Sequence, residues 1–367
     1  MLKDSRHPLT PAYRRIVVKI GSQVLSRPDG TLDVTRMSAL VDQVAELHKK
    51  GMEVILVSSG AVASGRSEVQ PQRKLDQVEQ RQLFSAVGQA ILINRYYALF
   101  RDHGIVCGQV LTTKENFADR RHYLNQKRCM EVMLDNGVVP VINENDTVSV
   151  TELMFTDNDE LSGLIASMMN AELLIMLSNV DGIFQGDPAC GAELIREVQP
   201  RQDISTYITQ NKSSFGRGGM RSKYGIAAKV AEEGITVVIA NGRREGIITD
   251  LVSAGPSVPC TRFIAEKRSS AVKKWIAHSE GFAKGELHIN EGCLQALGSS
   301  QARSLLPVGI DHIEGEFEKG DIVRIVSPDG TVLGVGKIRC DSETARRSLG
   351  KKGQKALIHY DYLYLEP

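Results

Sequence analysis

Little in this 367-residue chain points to a disulfide scaffold, a membrane protein or a metal cage. The six cysteines, Cys107, Cys129, Cys190, Cys260, Cys293 and Cys340, are scattered with no Cys-x-x-Cys pair, so they read as reduced, mostly buried thiols. The eight histidines show no metal-ligand spacing, and no dedicated protein-only metal site is expected. No apolar run approaches the roughly 20 residues of a membrane span. The charged amino terminus lacks a stretch of signal length, so a cytoplasmic location is expected and residues 1–13 read as a loose tail. With 45 basic and 44 acidic side chains there is no field that demands nucleic acid or a membrane surface. Also missing are Gly-x-x-x-x-Gly-Lys-Ser/Thr, Gly-x-Gly-x-x-Gly, the protein-kinase motif set and the Gly-x-Ser-x-Gly elbow. A nucleotide enzyme made from this chain must use another cradle.

The length exceeds what one core usually serves, which predicts two domains. Up to Ala240, strand-length apolar runs (Ile16 to Ile20, Val54 to Val57, Val106 to Leu111, Val138 to Ile142, Leu173 to Leu177, Thr236 to Ala240) alternate with helical periodicity. Those helices are Val34 to Lys49, Leu75 to Phe100, Tyr123 to Leu134, Glu160 to Met169 and Ser222 to Glu233. The alternation predicts an α/β fold, a three-layer αβα arrangement with a mainly parallel sheet. It stops near Ser253 to Pro259, and Lys267 to Lys274 reads as a charged bridge in which Trp275 is a packing anchor. The expected division is 1–264, a linker 265–282, and a small β-rich domain 283–367. In the last, Glu286 to Asn290, Asp321 to Val326, Val332 to Ile338 and Ala356 to Leu365 read as strands, with a hairpin at Pro328-Asp-Gly330. A helix from Ser342 to Leu349 carries Arg346 and Arg347, followed by Lys351, Lys352 and Lys355. Such a cluster either contacts RNA phosphates or is a solvated face.

Four elements carry polar chemistry at the ends of predicted strands, where open α/β sheets bind ligands. The strand ending at Ile142 runs into Asn143, Glu144, Asn145 and Asp146, and Asp157, Asn158 and Asp159 precede the next helix. An Asx-rich turn with a cap at Asn158 or Asp159 is the bland alternative. Phe215-Gly-Arg-Gly-Gly-Met-Arg-Ser-Lys223 opens a helix with three glycines and a mobile charge, which suits an anion. Lys19, Gly21 and Ser22 end the first strand. A lysine there faces either solvent or an anionic ligand, because an unpaired buried charge costs several kcal/mol. Ser58, Ser59 and Gly60 end the second strand and present hydroxyl and N–H groups.

Taken in order, Val17-Val-Lys-Ile-Gly-Ser22, Ser58-Ser-Gly-Ala61, Leu111-Thr112, Tyr123-Leu-Asn125, Ile142-Asn-Glu-Asn-Asp-Thr-Val148, Asp157-Asn-Asp159, Asp181-Gly182 and Gly218-Gly-Met220 with Lys223 resemble the glutamate 5-kinases of the amino-acid kinase family. The segment Lys284 to Glu366 resembles the PUA domain that bacterial members often carry. The resemblance implies ATP-dependent phosphorylation of L-glutamate to L-glutamyl 5-phosphate, the entry step of proline synthesis. It also implies Mg²⁺ arriving with ATP, proline as a feedback inhibitor, glutamyl phosphate reductase as pathway partner, and a homo-oligomer. Lys19, Asp159 and Lys223 would be catalytic, with Asp159 holding the two ammoniums. Ser59, Gly60, Asp146 and Asn158 would hold glutamate. Lys19, Gly21, Ser178, Asn179, Arg217, Gly218, Gly219, Met220, Arg221, Ser222 and Lys223 would hold the nucleotide. Three positions depart from the family: Asn179 and Asn116 stand where Asp is common, and Arg217 where Thr is common. The alternatives are another amino-acid kinase (for aspartate, acetylglutamate, carbamate or a nucleoside monophosphate) and an RNA-binding protein acting through its C-terminal domain. A carboxylate with a pKa of about 4.3 is already ionised at neutral pH, so this chemistry needs no histidine as general base.

Overall fold

The computed structural model describes residues 13–118, 120–148, 155, 157–187, 190–208, 219–253, 258–266, 283–297, 304–351 and 353–365. Its contacts divide the chain into two compact units, Met1–Arg268 and Ser269–Pro367. The expected tail except Tyr13, the charged bridge and Trp275 lie outside the described residues.

The first unit runs β1 (Arg15–Ile20), α1 (Ser22–Leu25), α2 (Val34–Lys49), β2 (Glu53–Ser58), α3 (Ala61–Glu68), α4 (Gln77–Asp102), β3 (Val106–Thr112), α5 (Glu115–Ala118), α6 (Arg120–Asp135) and β4 (Val138–Glu144). It continues with α7 (Asn158–Met168), β5 (Leu173–Ser178), β6 (Glu197–Val198), α8 (Met220–Glu232), β7 (Thr236–Asn241), α9 (Ile247–Val252) and β8 (Cys260–Phe263). Its strands form one sheet in the order β3-β4-β2-β1-β5-β7-β8-β6. Every pairing is parallel except β7 with β8. β1 and β5 are buried almost throughout, as near-continuous apolar strands covered on both faces should be. The strand order reverses at β1, between β2 and β5, so the carboxyl ends of these central strands flank the crevice where such sheets bind ligands.

Local chemistry moves several boundaries. α7 starts at Asn158 because Asp157, not Asn158 or Asp159, is the cap: its carboxylate accepts from the N–H groups of Asp159 and Glu160 at 2.9 and 3.0 Å. β4 extends past Ile142 to Glu144 through its pairing with β3, which places Asn143 and Glu144 on a strand rather than in a turn. α8 begins two residues before the expected Ser222. The sheet also does not end at β7, since β8 adds an antiparallel strand beyond the proline-rich segment. Cys107 is buried, but Cys129 and Cys190 are exposed and the other three cysteines intermediate, so the expectation of mostly buried thiols does not hold.

The second unit contains β9 (Gly285–Ile289), α10 (Glu291–Leu297), β10 (Ile310–Gly315), β11 (Ile322–Val326), β12 (Val332–Lys337), α11 (Ser342–Ser348) and β13 (Leu363–Leu365). Its sheet has the order β10-β9-β11-β12-β13 over a core that includes Leu287, Ile289, Val323, Ile325 and Ile358. The expected hairpin joins β11 to β12, with Gly330 at φ 88°. The strand expected over Ala356 to Leu365 is instead a bridge at Ile358, a 3₁₀ turn at Tyr360–Tyr362 and the short β13. In the basic cluster, Arg346 donates to Glu316 and to the Gly315 carbonyl, and Arg347 pairs with Glu343. These partners compete with any phosphate. No described helix is long and apolar enough to cross a membrane.

Candidate active site

The carboxyl ends of β1, β2, β4 and β5 and the amino ends of α3, α7 and α8 line a cavity of about 760 Å³. Lys19 is the next-to-last residue of β1, a central strand, and is only 5% exposed. It faces the cavity rather than bulk solvent. Its Nζ lies 2.6 Å from Asp159 Oδ1, and Lys223 Nζ donates to Asp159 Oδ2 at 2.7 Å. One buried carboxylate at the start of α7 therefore ties an ammonium from β1 to one from the first turn of α8. Burial opposes ionisation of Asp159. The two adjacent ammoniums outweigh it and hold the carboxyl at about 2, below the ordinary 3.8. Asp157 shifts the other way, raised by burial and by the neighbouring Asp159, and its second oxygen accepts from Ser222 Oγ at 3.0 Å.

A second polar set lies beside the first. Asn158 Nδ2 donates to the Ser58 carbonyl at 3.2 Å and to Ser59 Oγ and Asn143 Oδ1 at 3.0 Å, so this one amide gathers the ends of β2, β4 and α7. Gly60, at φ 113°, starts α3 in a left-handed conformation that a side chain would strain, and it turns the backbone after Ser59 along the cavity wall. Asp146 and Glu144 both accept from the guanidinium of Arg81 on α4. The other Glu144 oxygen accepts from Phe155 N–H at 3.0 Å. Arg81 is brought in by an unusually close helix crossing: a Cβ on Gly88 of α4 would stand 1.7 Å from the Ala61 carbonyl oxygen of α3.

Of the residues singled out from the sequence, Lys19, Gly21, Ser59, Gly60, Asp146, Asn158, Asp159, Ser178, Asn179, Gly219, Met220 and Lys223 all line this cavity. Ser222 turns to Asp157 and Arg221 is exposed, so neither belongs to the wall. Arg217 and Gly218 lie outside the described residues. In the Asp181-Gly182 motif, Arg244 donates to Asp181 through two hydrogen bonds of 2.8 and 2.7 Å. Sequence reasoning missed Arg81 and Arg66. One signal existed, because Gln77, Gln80, Arg81 and Phe84 follow the spacing of a single helix face and all four line the cavity. Polar residues at the head of a buried stripe need a polar partner.

Chemically, the cavity offers two ammoniums fixed by one carboxylate, N–H groups at the start of α8, and an amide and hydroxyl set around a guanidinium-bridged acid pair. The first set suits a multiply charged anion and the second an amphoteric small molecule.

Residues 14–241 match the amino acid kinase family and residues 285–360 the PUA domain. A protein of Bacteroides thetaiotaomicron named glutamate 5-kinase is 67% identical over 356 residues, covering 96% of this chain and 99% of the relative. Glutamate 5-kinases of Chlorobaculum tepidum and Trichlorobacter lovleyi are 50% and 38% identical, each alignment covering 97% of this chain. Matched along nearly its whole length by relatives of that name, the chain belongs to the amino acid kinase family, in its glutamate 5-kinase branch, with a carboxyl-terminal PUA domain.

Proposed function

We propose that this protein transfers the γ-phosphoryl group of ATP to the side-chain carboxylate of L-glutamate, giving L-glutamyl 5-phosphate and ADP. The observation that carries the reading is the Lys19–Asp159–Lys223 bridge at the sheet's switch point, in a chain 67% identical to a protein named glutamate 5-kinase. A carboxylate oxygen of glutamate forms the new O–P bond, the bond between the γ-phosphorus and the bridging oxygen breaks, and its electron pair leaves on ADP. The nucleophile is already ionised, so no base is required. The obstacle is repulsion between two anions, and Lys19 and Lys223 act on it by stabilising charge on the transferring group.

The residues present fit the nucleotide. Among the described residues, a Cβ on Gly219 would meet nothing within 4 Å, which suits the close approach of a phosphate to the backbone at the start of α8. Gly21 has no such room: a Cβ there would stand 2.9 Å from the Leu177 carbonyl oxygen and 3.5 Å from Lys19 Nζ. Mg²⁺ fits as a passenger on ATP, because the cavity's carboxylates are engaged by Lys19, Lys223, Arg81 and Ser222 rather than grouped as a cage. Glutamate lies along the Ser59, Gly60, Asp146 and Asn158 set, its α-ammonium at Asp146 and its α-carboxylate at the Ser59 and Gly60 donors. The labile acyl phosphate passes to a glutamyl phosphate reductase. Proline acts as feedback inhibitor, and the protein works as a homo-oligomer in the cytoplasm.

The test is a hydroxamate assay with ATP, Mg²⁺ and a panel of acidic amino acids. Hydroxamate should form with L-glutamate and scarcely with aspartate, whose chain is one methylene too short to align while both ends stay bound. Faster turnover of aspartate or acetylglutamate would overturn the assignment.

A further inference from the structure

Outside the kinase cavity, the second unit carries a cluster that local sequence spacing conceals. The chain contains the mirrored tripeptides Glu286-Leu-His288 on β9 and His312-Ile-Glu314 on β10. These strands pair antiparallel with His312 opposite His288 and Glu314 opposite Glu286. Alternation along a strand then puts all four side chains on one face of the sheet, away from the core that Leu287 and Ile289 enter. The two imidazoles stack with centroids 3.9 Å apart. Glu314 Oε1 lies 3.7 Å from His288 Nε2 and 3.5 Å from His312 Nε2.

From this geometry we propose that His288, His312 and Glu314 bind one divalent transition-metal ion of the Zn²⁺ class at the β9–β10 edge of the sheet. Ligand atoms about 2.1 Å from a tetrahedral centre are about 3.4 Å apart, close to the 3.7 and 3.5 Å between Glu314 and the two imidazoles, and all three ligand atoms lie within 4.8 Å of one another. Two imidazoles and one carboxylate suit Zn²⁺ and its neighbours rather than Mg²⁺ or Ca²⁺. A second observation points the same way. His288 Nε2 is buried and has no hydrogen-bond partner among the described residues, so its lone pair is available to a ligated ion. Glu286 completes the surround: Arg324 holds its Oε1 at 3.0 Å, leaving Oε2 3.6 Å from the same His288 nitrogen, where it accepts from a water on the ion. Three protein ligands leave a coordination position open. The rings lie within 13° of parallel, so one of them must swing well out of the stack before both nitrogens aim at one ion. His312, whose side chain is 58% exposed, has room for that swing.

The inference is independent of the kinase reading and is tested by binding alone. The full chain, purified free of metal and chelator, is titrated calorimetrically with ZnCl₂ and spectroscopically with CoCl₂. One Zn²⁺ per chain and visible Co²⁺ absorption bands are expected. His312→Ala, at an exposed position, should fold normally, lose the bands and weaken Zn²⁺ by at least about tenfold, the scale that even an outer-sphere partner commands. Glu314→Gln should weaken it similarly. His103→Ala, which removes another histidine paired with an acid, Asp42, should change nothing. Absence of saturable binding overturns the proposal. So does binding that survives the His288→Ala, His312→Ala double variant, or that disappears instead on replacing the exposed Cys129 and Cys190 by serine.

Discussion

Replacing Asp159 by asparagine probes the site where structure and chemistry are most tightly joined. The Asp159 side chain is 1% exposed and the side chains of its two lysines 6% and 12%, so the 0 to 1 kcal/mol of surface ion pairs does not apply. An asparagine oxygen can accept from one ammonium, but its –NH₂ then meets the other donor to donor. Removing one partner of a buried pair in this way costs about 3 to 5 kcal/mol. Acid gives an independent handle. Because the folded carboxyl sits at about 2 against an ordinary 3.8, its contribution is complete above about pH 4 and is lost as pH falls through about 2. That depression corresponds to about 2 kcal/mol at neutral pH, less than the substitution because a protonated carboxyl, unlike an amide, can still turn an acceptor to both lysines. Urea unfolding followed by far-UV circular dichroism, dominated by the helices of the first unit, reads the difference. At pH 7 the variant should lose 3 to 5 kcal/mol, on the order expected for an orphaned buried charge. The gap from wild type should narrow between about pH 4 and pH 2. An unchanged urea midpoint, or a gap that stays constant down to pH 2, would refute the claim that Asp159 is the ionised hub of the cluster.

Four further outcomes are expected. Lys223→Ala and Lys19→Ala should each lower kcat by about 10² to 10³, the scale of one charge-stabilising donor, and a folded Lys223→Ala enzyme with full turnover in the hydroxamate assay would remove that lysine from the mechanism. Asp146→Ala should raise the KM for glutamate far more than that for ATP, whereas equal rises in initial-rate measurements would indicate a general structural role. Gly88→Ala should destabilise by at least about 3 kcal/mol in the same urea assay, because its Cβ would collide with the Ala61 backbone at 1.7 Å rather than with a movable side chain. Asn116→Asp should strengthen proline inhibition about ten- to hundred-fold, one charge-assisted hydrogen bond. The present amide oxygen already accepts from Thr113 N–H at 2.8 Å, a contact a carboxylate keeps, so identical proline titrations of the two forms would leave Asn116 as a loop anchor only.

The sequence made the central strands legible because parallel strands buried on both faces are continuous apolar runs, and Ile16 to Ile20 and Leu173 to Leu177 are such runs. α2 was legible to the residue, its amphipathic stripe being closed by Asp33 at one end and Lys50-Gly51 at the other. β8 was not, because Cys260 to Phe263 is short and becomes a strand only by pairing with β7. β10 was hidden for a related reason: only Ile310 of its residues is buried, a register shift breaks the alternation between Ile310 and His312, and only the cross-strand pairing makes it a strand. In the cavity, the lysines and Asx clusters stood out as polar groups set at the ends of apolar strands. Arg81 did not, since an arginine in a long helix looks like any solvated one until the Gly65 and Gly88 contacts bring α4 against α3 and turn it inward. Contacts between separate elements set these features, and one-dimensional spacing does not encode them.

A carboxylate at the centre of the proposed anion site first looks self-defeating, since Asp159 cancels one of the two positive charges that a phosphoryl group would need. Donor counting resolves it. Each lysine ammonium has three N–H donors and spends one on Asp159, which leaves four for phosphate oxygens, all starting from nitrogens fixed 2.6 and 2.7 Å from one carboxylate. Unbridged, the two cations would repel each other and move on their four-carbon stems, and the reaction would have to organise them at the moment of transfer. With the bridge, that organisation is complete at folding and is charged to stability instead. The two lysines and Asp159 carry one net positive charge between them, so a nucleotide phosphate should relieve part of the strain that Asp159→Asn introduces. ATP should therefore raise the urea midpoint of that variant by more than it raises the wild type. If ATP stabilises both equally, the lysines do not face the phosphates, and the bridge is a packing device of the sheet's carboxyl edge.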